Sequence, residues 1–479
     1  IQQIGGFVGE SAFESLFGRL NYDYKSKYFI QASVRRDGQS SLAPTKKYGV
    51  FPGFSAGWRL SEEGFWKGSA FLNKWLPEAK IKGSYAKVGN TLGGFPYLST
   101  YGSRPYGNIS GIAVSAIGNP DLQWETSVKY DVGIELGILR NRFNITADWF
   151  LNNVNDLVFN VPTPLSTGVP GNAIAQNIAT LENKGIELML SGNIIRSKNF
   201  SWDFNLNYSK VENKIKSLYP VGGVPVPFVE NGGYNIIRVG DPMNIIYGNV
   251  WAGVNTANGH PMYVKADGSL VQLNLSPGGS IGGYFVAAAK NNPALGAASS
   301  LAFADRQNLG QATPTWFGAF SNTLNYKGIE LDFMFRFSGG NKIMNITRQE
   351  ALLNQSFQNN GVEILDRWTT PGQITNVPKL RYGQGNNINQ TQVANSRFVE
   401  KGDYIRLQNL VVSYTIEPIN LTKWTNGFIR SFRFFVQGQN LAVWTDYSGA
   451  DPDNISALGL DNAVSPQVRT ISVGVNIGL

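Results

Sequence analysis

Asp446, Asp451 and Asp453 stand around Tyr447 and Gly449, with Asp451 and Asp453 two positions apart. Hard carboxylate oxygens at that spacing suit calcium, so a calcium site in this loop is one expectation. A turn built on Asp451-Pro452-Asp453 is the other. Gly53-Phe54-Ser55-Ala56-Gly57 fits the G-x-S-x-G elbow. That elbow needs a strand-turn-helix setting and a histidine base. Here the motif falls inside an alternating segment, and the single histidine, His260, lies in a Gly-rich stretch. Ser55 is therefore expected to be an ordinary strand serine. His260, with no second histidine and no cysteine in the chain, is expected to be solvated rather than a metal ligand. No catalytic residue and no metal-ligating set is assigned.

Stacking chemistry is better represented. Tyr97, Tyr101 and Tyr106 lie in 90–123, Phe228, Tyr234, Trp251 and Tyr284 in 213–314, and Trp444 and Tyr447 in 443–468. Aromatic faces pack on sugar rings or peptide side chains, and tyrosine adds a hydroxyl at small entropic cost. Tyr97, Tyr101, Tyr106, Trp444 and Tyr447 are the substrate-binding candidates. The competing reading is that such rings staple long loops together.

The elements that must position these loops show a period of two. Leu16, Gly18, Leu20, Tyr22 and Tyr24 alternate with Phe17, Arg19, Asn21 and Asp23. After Lys25-Ser26-Lys27, Tyr28, Ile30, Ala32 and Val34 alternate with Gln31, Ser33, Arg35 and Asp37. The pattern persists to Ile471, Val473, Val475, Ile477 and Leu479. Such segments are strands with one apolar and one polar face. Repeated at bilayer-crossing length with aromatic ends, they are the signature of a transmembrane β-barrel. Strands are expected at 16–25, 27–37, 50–60, 79–89, 124–138, 143–151, around 186–190, 200–208, 315–326, 328–337, 404–416, 431–442 and 469–479. The stretch 245–254 is either loop or one of a further pair. The total is roughly 13–15 strands. Trp58, Trp149, Trp202 and Tyr24 are expected to face lipid. Arg19, Asp23, Arg35, Lys129, Asp131, Glu135, Asp148, Asp203, Asp332 and Arg336 are expected on the polar inner face.

Connection lengths orient the ladder. Short turns at 25–27, 139–142, 193–199 and 326–328 alternate with long connections at 90–123, 153–184, 213–314, 338–402 and 443–468. Barrels keep short turns on the periplasmic side and long loops outside. The segment 61–78 is long for its periplasmic position, and a short helix capped at Ser61-Glu62-Glu63 is expected there. An odd strand count cannot close an even-stranded barrel. Residues 1–479 are thus expected to be the C-terminal part of a barrel, with residues 1–15 outside the cell and the earlier strands elsewhere.

Composition agrees. Charged residues make up only 15% of the chain and aromatics 12%, where about 25% charged is usual for soluble domains. No apolar run is long enough for a membrane helix. The net charge of +8 is scattered over strand ends and turns, not gathered in a basic run, so no nucleic-acid partner is expected.

Several phrases resemble the SusC/RagA-like class of TonB-dependent outer-membrane transporters. They are SLFGRLNYDYKSKYFIQASVRRDG at 15–38, FPGFSAGWRLSEEGFWK at 51–67, NPDLQWETSVKYDVGIELGIL at 119–139 and ENKGIELML at 182–190. PTWFGAFSNTLNYKGIELDFMFRFSGG at 314–340, FVEKGDYIRLQNLVVSYTI at 398–416, RFFVQGQNLAVWTDYSGADPD at 433–453 and TISVGVNIGL at 470–479 continue the series. The resemblance implies a barrel of about 22 strands with a plugged lumen, in the outer membrane of a gram-negative bacterium. It implies import of glycan or peptide fragments, a SusD-like surface lipoprotein as lid, and TonB acting through a plug-bearing N-terminal part absent from this chain. Two departures stand out: the chain ends in Leu479 where the family typically ends in Phe, and 254–306 lacks a full acidic calcium repeat. The alternatives are a passive porin or a secretion or anchoring barrel, and a soluble all-β binding protein.

Overall fold

A computed structural model describes residues 10–218, 227–275, 281–416 and 418–479. Thirteen long strands are hydrogen-bonded in chain order. They are β1 (Phe13–Tyr24), β2 (Tyr28–Gln39), β3 (Tyr48–Arg59), β4 (Glu78–Asn90), β5 (Glu125–Ile138), β6 (Phe143–Pro162), β7 (Ala173–Arg196), β8 (Phe200–Leu218), β9 (Trp316–Tyr326), β10 (Ile329–Gly339), β11 (Tyr404–Thr415), β12 (Ser431–Thr445) and β13 (Thr470–Gly478). These are the thirteen expected strands. The stretch 245–254 belongs to a separate loop sheet. By contact density the chain divides into two units. One is Ile1–Asn193 with Ser209–Val229 and Arg238–Gly240; the other is Ile194–Tyr208, Glu230–Ile237 and Asp241–Leu479.

In the first unit the register keeps like faces together. Leu20 faces Ala32, Tyr22 faces Ile30, and Tyr28 faces Trp58. Leu16, Val34, Phe54 and Val132 are exposed, as side chains bathed in lipid must be. The turns are those a twisted ladder needs. Lys25 and Ser26 have φ of 57° and 52°, a type I′ pair, and the Asp23 carboxylate accepts from the Ser26 N–H at 2.7 Å. The opposite face is polar and cross-linked. Lys82 Nζ lies 2.9 Å from Asp148 and 3.4 Å from Glu135. A small core of Leu42, Phe51, Leu122 and Trp124 closes one end. Gly89 is fixed there because a Cβ would sit 2.1 Å from the Phe51 ring.

Three expectations change here. The segment 153–184 is not a long loop: β6 continues to Pro162 and β7 begins at Ala173. Polar residues then occupy both faces, as in Asn152 opposite Asn183 and Asn153 opposite Glu182. The backbone ladder persists, but no apolar face is left to reveal it. The strand β8 likewise runs on to Leu218. The helix after β3 is split into Gly64–Lys67 and Ala70–Trp75, and Ser69 rather than Ser61 supplies the cap, its hydroxyl accepting from Leu72 N–H at 3.4 Å. Gly53–Gly57 lies within β3, without the turn a nucleophile needs.

The second unit continues the alternation in β9–β13 and adds a folded loop region. There Ile245–Val254, Pro261–Val264, Leu270–Leu275 and Ile281–Val286 form an antiparallel meander. Gln307–Gln311 pairs with the first of these strands. Ile246, Met344, Ile346, Leu353, Ala394 and Phe398 form its main core. Leu273, Leu275 and Ile388 form a second.

Candidate ligand-binding site in the folded loops

The helix Gly385–Asn389 ends at Gln390, which takes the left-handed conformation at φ 56°. Gly385 is required at its start, because a Cβ would lie 2.0 Å from the Asn354 carbonyl. This sharp exit brings Asn386, Asn387, Gln390 and Gln392 to a cleft of about 300 Å³, walled by Asn249, Tyr284 and Arg306. Asn249 Nδ2 donates to Gln390 Oε1 at 2.8 Å, and Gln390 Nε2 donates to the Tyr284 hydroxyl at 2.7 Å. Asn249 Oδ1 is buried with no hydrogen-bond partner among the described residues. A buried amide oxygen of this kind is costly unless something donates to it. Arg306 stacks on Phe303, its guanidinium 4.8 Å from the ring centre. The cleft thus offers amide donors and acceptors, one phenol and one cation, with no nucleophile–base pair.

A buried network holds the cleft from below. Arg397 lies between Trp251 and Phe398, 5.3 and 4.9 Å from their ring centres. Its Nη1 donates to Asn389 Oδ1 at 3.2 Å and its Nη2 reaches Glu363 at 3.4 Å. Burial lowers its pKa to about 10, with Glu363 acting the other way. Arg348 grips Glu363 with two bonds of 2.7 and 2.8 Å and Glu400 at 3.2 Å. Burial would raise the Glu363 pKa, but the two guanidinium groups hold it below the usual value. Tyr263 is fully buried and its hydroxyl donates to the Ile388 carbonyl at 3.0 Å.

The sequence candidates fall into different settings. Tyr101 and Tyr106 stand on the exposed hairpin of Thr100–Ser103 and Ile112–Ala116, 68% and 88% exposed. Tyr97 is half-buried, 6.5 Å from Phe95. Those three lie in the first unit; Trp444 and Tyr447 lie in the second. Trp444 is on β12, opposite Ile405 and 6.1 Å from Phe335, in the apolar row. Tyr447 is buried and donates to Asp461 at 2.5 Å. Among the other loop rings, Tyr234 donates to Glu350 at 3.1 Å, and Trp251 to Asn376 at 3.0 Å. Phe228 is half-buried.

His260 is only partly solvated. It is half-buried, its Nδ1 has no partner among the described residues, and burial beside Lys379 and Arg381 lowers its pKa to about 4. Asp451 accepts from Arg406, and Asp453 from Arg336 at 2.8 Å and Tyr404 at 2.6 Å. Among the described residues no group of three acidic, His or Cys side chains is placed to hold a metal. Trp202 is half-buried, with its indole donating to Asn322 at 2.9 Å, whereas Tyr24, Trp58 and Trp149 are exposed. The cleft residues other than Tyr284 escaped the sequence reading. Their one signal is the amide-dense run Asn386-Asn387-Ile388-Asn389-Gln390-Thr391-Gln392.

Residues 6–291 match the family described as "TonB dependent receptor-like, beta-barrel". TonB-dependent receptor P3 of Formosa agariphila is 30% identical over 99% of this chain and 46% of its own length. TonB-dependent receptor SusC of Bacteroides thetaiotaomicron is 23% identical over 97% of this chain and 43% of its own. The chain therefore spans about half the length of the curated relatives it matches. A structure of the RagAB peptide transporter superposes with a TM-score of 0.80 at 22% identity, covering 98% of this chain and 48% of that one. That likeness concerns fold.

Proposed function

The chain belongs to the TonB dependent receptor-like β-barrel family, and from that premise we propose that it forms the C-terminal barrel portion of an outer-membrane importer of oligomeric nutrients. The remaining strands, to about 22, and a plug that TonB displaces would come from the rest of the transporter. A SusD-like lipoprotein would close over the loops. The substrate class is a hydrogen-bonding oligomer, either a glycan or a peptide fragment.

One observation carries this reading: the long connection before β9 is not slack but folds around an amide-lined cleft, with Asn249 Oδ1 still lacking a donor. A passive pore has no need of such a recess. Peptide N–H groups and sugar hydroxyls are both donors that would satisfy it. Tyr101 and Tyr106 offer exposed rings for capture. No covalent chemistry is proposed. Tyr447 and Trp444 serve the loop anchor and the apolar face rather than the ligand.

The test is calorimetric titration of the detergent-purified protein with defined oligosaccharides and short peptides. Binding of one class, weakened about fivefold by Gln390→Ala, is the expected result, since one lost hydrogen bond is worth about 1 kcal/mol. Binding that is indifferent to both Gln390→Ala and the Tyr101→Ala/Tyr106→Ala pair would overturn it.

A further inference from the structure

The outward face of the first unit carries a cation in an apolar row. Register places Arg36 between Leu16 on β1 and Val50 on β3, and both neighbours are exposed. Its guanidinium lies 4.2 Å from the centre of the Tyr48 ring, and Lys47 Nζ lies 5.6 Å from the same ring. Tyr48 is held in place by its hydroxyl, which donates to Glu14 Oε2 at 3.0 Å. Among the described residues Arg36 enters no ion pair. Its neighbour Arg35 points the other way and is fully engaged, with Asp37 at 2.6 Å and Ser15 at 2.9 Å.

Depth gives this difference a meaning. Tyr22, Tyr24, Tyr28 and Trp58 form a row of stacked rings 6.4 to 6.5 Å apart at one end of the strands. Tyr48 is ten positions from Trp58 on the same face of β3. At a strand rise of about 3.4 Å and a tilt of about 40° that is about 26 Å along the membrane normal. The apolar band of such barrels is about 25 Å tall. Tyr48, Arg36 and Lys47 therefore sit at the far border of the band, at headgroup depth on the side of the long loops.

At that depth a cation on the lipid face costs little, and an anionic headgroup attracts it. Stacked on a ring, a guanidinium still presents its edge N–H groups, and these match a phosphate in bidentate fashion. We propose that Arg36, with Lys47 across the Tyr48 ring, binds the phosphate headgroup of an anionic lipid at the outer border of the membrane. The proposal rests on the membrane-barrel reading above and not on the transport cycle.

The test is native mass spectrometry of the detergent-purified protein, titrated with phosphatidylglycerol or with zwitterionic phosphatidylcholine. Wild-type protein is expected to prefer phosphatidylglycerol, and each of Arg36→Gln and Lys47→Gln to reduce that preference about fivefold. Arg36→Lys should retain most of it, which guards against a variant that merely fails to fold. Excess inorganic phosphate should not displace the lipid. Equal retention by Arg36→Gln, or no preference in wild type, would overturn the proposal. Displacement by inorganic phosphate would assign the site to a free anion instead. Failure to retain any lipid would strike the membrane reading itself.

Discussion

The strand ladder and the loop fold of the second unit solve the same problem in opposite ways. On the ladder, the strands between β1 and β13 pair with a neighbour on each side, and apolar side chains such as Leu331 and Phe333 alternate with Glu330 and Asp332. Its stability comes from lipid on one face and hydrogen bonds within. The loop fold has no lipid. It relies on a modest apolar core and on buried polar groups that must satisfy one another: Arg397 with Glu363 and Asn389, Asn389 with the Gln349 and Leu353 carbonyls, Tyr447 with Asp461. The ladder should thus tolerate polar change on its inner face, and the loop fold should tolerate little.

The largest effect should follow from Glu363→Ala. It leaves Arg397 buried without its carboxylate, and breaking such a pair costs about 3–5 kcal/mol. Limited proteolysis should then cut the loop fold at protease levels that leave wild type intact, while the strands stay resistant. Charge on the lipid face comes next. Val132→Arg should cost about 2–4 kcal/mol and lower the yield of folded, heat-modifiable protein. Ser84→Arg, on the inner face opposite Asp131, should assemble normally. If both fail alike, the distinction between faces is wrong.

A smaller effect is expected at Tyr447→Phe. It strands the buried Asp461 carboxylate of one donor and should cost about 1–3 kcal/mol, read as a lowered unfolding temperature of the loop fold. Acidification should act in the same region. His260 titrates near 4 in the fold against 6.5 ordinarily, so the unfolded chain binds the proton first as pH falls. Stability of the loop fold should therefore fall between pH 6.5 and about 4. The Glu363 carboxylate, held below its usual value, adds a loss at lower pH still. A His260→Asn variant should flatten the upper part of that profile, and an unchanged profile would exclude His260 as its cause.

The same contrast explains what was legible in the sequence. Thirteen strands could be read because lipid enforces a period of two, as in Val128, Tyr130, Val132 and Ile134. The signal fails where β6 and β7 leave the bilayer, since Asn152, Asn153, Glu182 and Asn183 carry no alternation although their backbones still pair. It fails more completely in the loops. Nothing local marks Gln390 as a left-handed helix end or brings it against Asn249, 141 residues away. Asp451 and Asp453 looked like calcium ligands because their arginine partners, Arg406 and Arg336, lie far off in sequence. Likewise His260 looked solvated because the lysine and arginine beside it, Lys379 and Arg381, are distant in the chain.

Short turns and folded loops should lie on opposite sides of a membrane. The chain has no cysteine, so single cysteines can report sidedness directly. In intact cells a membrane-impermeant maleimide should label Tyr106→Cys and Phe357→Cys, both on exposed loop positions. It should spare Ser26→Cys in the β1–β2 turn until the outer membrane is permeabilised. Labelling of Ser26→Cys in intact cells, or protection of Tyr106→Cys, would rule out this sidedness.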